Sequence, residues 1–133
     1  MELFFIPPHE AAFFNPMAES PAYHPRLRIL KGREIAMGPG KADLLSHVQE
    51  TGSLSKAARR MKMSYMKAWL LVQVMNRSYK KPLVEAERGG TGGGGATLTP
   101  FGHQVLDLYR TMEQTSRDAT QAHWKRMRAL LKA

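Results

Sequence analysis

Among the 133 residues there is no cysteine. That absence excludes a disulfide framework, a thiol nucleophile and a thiolate zinc site, and it is compatible with a reducing compartment. Long apolar runs are missing too: none approaches the roughly 18 residues that would span a bilayer. The opening stretch, broken by Pro7, Pro8, Pro16, Pro21 and Pro25, has no basic n-region of a secretory signal. A soluble, unexported, cytoplasmic chain with no membrane partner is expected. Acid is scarce, with 11 Asp and Glu against 20 Lys and Arg, a formal charge of +9. Catalytic and metal constellations are absent as well. His9, His24, His47, His103 and His123 are scattered without metal-ligand spacing, and no Gly-x-Ser-x-Gly elbow occurs. The carboxylates of the body stand singly except Glu85 and Glu87, which are expected to pair with nearby Lys or Arg. No enzyme, metal or cofactor is expected.

The charge is present but unevenly placed. Residues 1–24 hold three Glu and no Lys or Arg, so the basic excess belongs to the remainder. Between Thr51 and Val84 lie Lys56, Arg59, Arg60, Lys62, Lys67, Arg77, Lys80 and Lys81, with no carboxylate in 34 residues. Charge of one sign repels itself, and a polyanion whose phosphates release condensed counterions relieves that repulsion. Double-stranded DNA is therefore the expected partner; the alternative is a merely solvated basic face. A hydrophobic fraction of 43% is enough for a packed core of one domain.

Along the chain, residues 1–25 read as an extension whose aromatics, including Phe4, Phe5, Phe13 and Phe14, dock on the body. Arg26 to Leu30 alternates charged and apolar residues with period two and predicts a short strand, and Gly32, Gly38, Pro39 and Gly40 then break the chain. From Lys41, the positions Ala42, Leu44, Leu45 and Val48 predict a helix that closes at Thr51-Gly52. Ser53 caps a short second helix that turns Leu54, Ala57, Ala58 and Met61 inward. After a three-residue break, Ser64 caps a third, whose stripe of Tyr65, Ala68, Trp69, Val72 and Met75 leaves Lys67, Gln73 and Arg77 to one side. Two short helices joined so briefly make a helix-turn-helix pattern.

Leu83 to Arg88 then predicts a strand, with Thr97-Leu98 as its return across Gly89 to Gly95, six glycines in seven positions. Such a tip can approach another surface closely and suits a wing against a DNA backbone; a flexible connector is the plainer reading. A nucleotide-binding loop is the enzyme reading and is not expected, because Ala96-Thr97 stands where Lys-Ser/Thr would follow. Thr99-Pro100 starts a long helix on which Phe101, Val105, Leu108, Met112, Thr115, Ala119, Ala122 and Leu130 recur at three or four residues. Unbroken to the end it would reach roughly 50 Å, more than the domain can cover alone, so pairing with a second chain is expected. The alternative is a break near Gln114 to Ser116 and a fold back.

The segments Gly52-Ser-Leu-Ser-Lys-Ala-Ala58, Met63-Ser-Tyr65, Ala68-Trp69, Met75-Asn76, Pro82-Leu-Val-Glu85 and Gly89 to Thr99 together resemble the N-terminal winged-helix domain of the ModE family of molybdate-dependent regulators, LysR-like in its DNA-binding part. The resemblance covers roughly residues 26 to 125. It implies a mainly α fold with a small β-hairpin: a winged helix-turn-helix over 26–98, a C-terminal dimerisation helix over 99–133, and sequence-specific DNA binding as a homodimer. It also implies that Ser64, Tyr65 and Lys67 open the recognition helix and that the glycine loop is the wing, while packing suits Ala68 and Trp69. The molybdate-binding domains of full-length regulators lie beyond the resemblance, so direct oxyanion sensing is not expected of these residues. Lys62 stands in the turn where the family commonly has glycine.

Together these readings assign DNA contact to Ser53, Lys56, Arg59, Lys62, Ser64, Tyr65, Lys67, Gln73, Arg77, Lys80, Lys81, Arg88, Gly90, Thr91, Gly92 and Gly93. They assign the dimer interface to Phe101, Val105, Leu108, Met112, Ala119 and Leu130. Two competing readings are a sequence-tolerant architectural DNA binder and a DNA-binding subunit that works with a separate sensor protein.

Overall fold

A computed structural model of the chain describes residues 21–87 and 95–132. In order, these form β1 (Ile29–Lys31), β2 (Glu34–Met37), α1 (Pro39–Thr51), α2 (Leu54–Arg60), α3 (Tyr65–Ser78), β3 (Val84–Ala86), β4 (Ala96–Leu98) and α4 (Pro100–Ala129). The fold is mainly helical with small antiparallel hairpins, a winged helix-turn-helix followed by a long helix, as expected.

Helix α1 begins two residues before the expected Lys41, because Pro39 occupies the first helical position and does not break the chain. A proline there lacks only an N–H that would have no partner inside the helix, and its φ is already set. At the other end Gly52 adopts φ 66°, and its N–H closes on the Val48 carbonyl at 2.8 Å. The caps of α2 and α3 form as the sequence indicates: Ser53 Oγ accepts from the Lys56 N–H and Ser64 Oγ from the Lys67 N–H, both at 3.1 Å. In the turn between these helices Lys62 has φ 55°, a left-handed conformation that costs a non-glycine residue about 1 kcal/mol. Leu54, Ala57, Ala58 and Met61 are buried, as are Ala68, Val72 and Met75, and these join Leu44, Leu45, Val48 and Leu83 in one core.

Three local expectations shift. The period-two pattern at Arg26 to Leu30 places only Ile29 and Leu30 in a ladder, β1 pairing antiparallel with β2. Upstream of it the chain forms no ladder, and Tyr23, Pro25 and Leu27 are half-buried while their neighbours are exposed. There the alternation reflects a segment lying along α4: the Tyr109 hydroxyl donates to the Leu27 carbonyl at 2.8 Å, and the Tyr23 ring lies 5.8 Å from that of Trp124. In the wing, β3 spans only Val84 to Ala86: the Leu83 N–H is diverted to Asn76, although its carbonyl still accepts from the Thr99 N–H in register with the ladder. Gly95, assigned by sequence to the loop, adjoins β4, its carbonyl accepting from the Glu87 N–H at 2.9 Å just beyond the ladder. Residues 88–94, and with them the loop tip, lie outside the described residues, as do the aromatics of residues 1–20.

The third shift concerns α4. It runs through Gln114 to Ser116 without a break, about 45 Å for 30 residues. Its inward face is Gly102, Leu106, Tyr109 and Glu113, one position on from the stripe read in the sequence and so rotated by about 100°. Arg110 fastens this helix to α1, donating to Asp43 Oδ1 at 2.8 Å and Ser46 Oγ at 3.1 Å, and to Glu113 Oε1 at 2.9 Å. Asp43 and Glu113 are both buried, so their negative charges face a guanidinium and not apolar surroundings. Beyond Glu113 the helix is exposed or half-buried throughout its described length.

Candidate nucleic-acid interface

The outer side of the helix-turn-helix is built by the helices that bury the core. On α3 the inward residues Ala68, Val72 and Met75 leave Met66, Lys67, Leu70 and Arg77 exposed and Gln73 half-buried. Tyr65, assigned by sequence to the inward stripe, is 37% exposed and stacks on the half-buried Trp69 ring, centroids 6.4 Å apart. It sits at the edge of that stripe, at the helix start. Lys56 and Arg59 project from α2, Lys62 from the turn, and Lys80 and Lys81 from the link to β3; all five are exposed. With Lys67 they make no ion pair to any described residue.

Two cations of the same stretch are partly neutralised by carboxylates from outside it. Arg60 meets Glu50 at 2.7 Å, and Arg77 donates to Glu34 Oε1 on β2. The Arg77 hydrogen bond holds the Glu34 carboxyl below the usual carboxylate range, and the same bond raises the guanidinium. Both partners are exposed, so the pair is readily opened by solvent or a competing anion. The acid-free run in sequence is therefore not wholly acid-free in space, and Arg77 enters the surface as half of an ion pair.

The root of the wing is fastened from two sides. Asn76, near the end of α3, accepts from the Leu83 and Val84 N–H groups through Oδ1 at 2.9 and 3.2 Å and donates to the Val84 carbonyl at 3.0 Å. On the other strand the Ala96 N–H donates to the Gly52 carbonyl at 2.9 Å, and Ser53 bridges Gly95. The hairpin thus joins the start of α2 to the end of α3. Ser53, expected at the DNA, is half-buried, with its hydroxyl engaged as a cap and its backbone in this bridge. Arg88, Gly90, Thr91, Gly92 and Gly93 lie outside the described residues.

Residues 41–103 match the family described as "Bacterial regulatory helix-turn-helix protein, lysR family". This part of the chain is a ModE-like helix-turn-helix domain. It is similar to the "Transcriptional regulator ModE" of Haemophilus influenzae, 36% identical over 93 residues that cover 70% of this chain and 36% of the relative. It is 41% identical over 85 residues to the "Molybdenum-pterin-binding protein MopB" of Rhodobacter capsulatus, covering 64% and 33% of the two chains. Against the "DNA-binding transcriptional dual regulator ModE" of Escherichia coli K12 the identity is 38% over 87 residues, covering 65% and 33%. The chain spans about a third of the length of these relatives.

Beside the ModE-like domain, the expected dimer residues divide into two sets. Phe101 and Val105 are half-buried against the chain's own core. Leu108, Met112, Ala119 and Leu130 are exposed, with Leu108 at 59% and Leu130 at 85%. Leu108 and Met112 line an apolar groove with Ile29, Met37, Tyr79 and Val105. Among the described residues no group of His, Asp and Glu is placed to hold a metal, and no helix is long and apolar enough to cross a membrane.

Five contributing residues are not evident from the sequence. Asn76 stands in the sequence only as part of a motif, and its carboxamide proves to hold the wing. Glu34 and Glu50 lie outside the acid-free window, and pairing across such separations leaves no periodic trace. Met66 and Leu70 are hidden by the general rule that apolar residues on an amphipathic helix face the core; α3 drawn as a helical wheel places them opposite Ala68, Val72 and Met75.

Proposed function

We propose that the chain is a sequence-specific DNA-binding transcriptional regulator of the ModE-like type, acting in the cytoplasm as a homodimer. The observation that carries this reading is the exposed outer face of α3, set among cations of α2, the turn and the β3 approach that pair with no described carboxylate. In the proposed complex two copies of α3 enter successive major grooves about 34 Å apart. Ser64, Tyr65, Lys67 and Gln73 meet bases or adjacent phosphates, while Lys56, Arg59, Lys62, Lys80 and Lys81 contact phosphate and fix register. Arg77 reaches phosphate by exchanging Glu34 for it, an exchange with little cost at an exposed pair. The glycine loop with Arg88 follows the backbone as the wing. The second copy covers the apolar strip of α4 that begins at Leu108 and Met112.

The test is a binding titration against salt with a duplex selected from a random library and with random duplex in competition. A steep negative log–log slope, about 0.9 per phosphate contacted, supports the electrostatic reading, and a flat line overturns it. Preference for the selected site by roughly a thousandfold supports a specific regulator, whereas equal affinity assigns the chain to the architectural class. Lys67→Ala should weaken binding; unchanged affinity would remove α3 from the groove.

A further inference from the structure

The outward face of α3 is not uniformly polar. Met66 is 54% exposed and Leu70 56% exposed, spaced i and i+4 on the first two turns. At 3.6 residues per turn they lie within roughly 40° of each other, and opposite the buried Ala68, Val72 and Met75. Both are more than half in water, so neither owes its place to the core. A face built only to bind phosphate has no use for them: phosphate oxygens are met by cations, hydroxyls and amides. Apolar side chains at the start of a recognition helix have a different complement on a duplex, since thymine alone presents a methyl group in the major groove. Lys67 beside them, Lys62 in the preceding turn and Arg59 on α2 supply the charge that draws a polyanion onto this face.

We propose that Met66 and Leu70 are specificity-determining residues that read thymine methyl groups in the major groove. The inference rests on the DNA-binding reading and adds to it the base they select. Leu70, branched and stiff, fixes a methyl position; Met66, flexible and polarizable, adapts to a neighbouring one.

Sites recovered from a random duplex library are resynthesised with deoxyuridine in place of thymidine, one position at a time, which deletes the methyl and leaves every hydrogen-bonding group intact. At one or more positions the wild-type protein should bind about fourfold more weakly, the effect of losing one buried methyl-sized group. Leu70→Ala or Met66→Ala should abolish that sensitivity at its own position while leaving the salt slope unchanged. Both side chains are exposed, so the variants should keep the fold, which far-ultraviolet circular dichroism checks; the deoxyuridine series on wild type stands without them. Equal wild-type affinity for every deoxyuridine site, or sensitivity that survives in both variants, overturns the inference while the regulator reading stands. Failure to recover any preferred site overturns both, and a protein ligand that competes with DNA for Leu70 without methyl sensitivity also counts against methyl readout.

Discussion

Gly102 on α4 lies so close to Leu83 that a methyl group on its Cα would overlap the Leu83 carbonyl oxygen. That carbonyl is backbone and already accepts the Thr99 N–H, so it cannot swing aside. Gly102→Ala should therefore push α4 from the hairpin root and destabilise the fold by about 2 kcal/mol or more, as over-packed sites do. Thermal unfolding measures this, and an unchanged midpoint would show that the helix and the β3 approach are not in contact.

Asn76→Ala should leave the N–H groups of Leu83 and Val84 unsatisfied in buried surroundings. The expected loss is roughly 2–6 kcal/mol, from about 1–3 kcal/mol for each of the two orphaned donors. Asn76→Asp keeps the acceptor and loses only the donor to Val84, so it should be the milder change. Denaturant unfolding ranks the two, and equal losses would count against a carboxamide that both accepts and donates at the wing root.

Lys62→Gly should relieve the left-handed strain of the turn and stabilise the protein by about 0.5–1 kcal/mol. The same change removes one cation from the proposed interface, lowering the salt slope of DNA binding by about 1. Stability and affinity should therefore move in opposite directions. A variant that gains or loses both together would contradict the assignment of Lys62 to the outer surface.

Leu108→Glu tests the strip on α4. The side chain is 59% exposed, so monomer stability should change by less than about 0.5 kcal/mol. A charge in an apolar interface should weaken self-association at least tenfold by sedimentation equilibrium, and weaken binding to a two-half-site duplex more than to a single half-site. Unaltered association would place the interface elsewhere.

Burial pushes the Tyr109 hydroxyl up to about 12, with the Glu113 charge adding to it. An unfolded tyrosine ionises near pH 10, so the folded state holds its proton more tightly. Stability should be intact below about pH 10 and fall as pH rises toward 12, by on the order of 2 kcal/mol from this group. Tyr109→Phe should remove that part of the alkaline decline while losing the bond to Leu27. A decline of the same size in the variant would exclude Tyr109 as its source.

Helix existence and caps were legible in the sequence because they depend on neighbours: Ser53, Ser64, Thr99-Pro100 and Gly52 act within three or four residues. The inward residues of α2 and most of those of α3 followed from spacing. What the sequence could not show is which of two similar stripes on α4 meets the core. Phe101, Val105, Leu108 and Met112 repeat as well as Gly102, Leu106, Tyr109 and Glu113 do, and the second stripe contains a glycine and a glutamate. Its fitness is visible only when Leu83 and Arg110 are in place. The cationic surface was legible as composition; its local neutralisation by Glu34 and Glu50 was not, because it depends on tertiary approach.

The double lacing of the hairpin root, to Gly52 and Ser53 on one flank and to Asn76 on the other, sets the span between α3 and the wing when the chain folds. A duplex of matching width would therefore meet a caliper already gauged, and little ordering entropy would be charged against its affinity at that root. Variants that slacken either lacing should accept a broader set of sequences before they cease to bind at all.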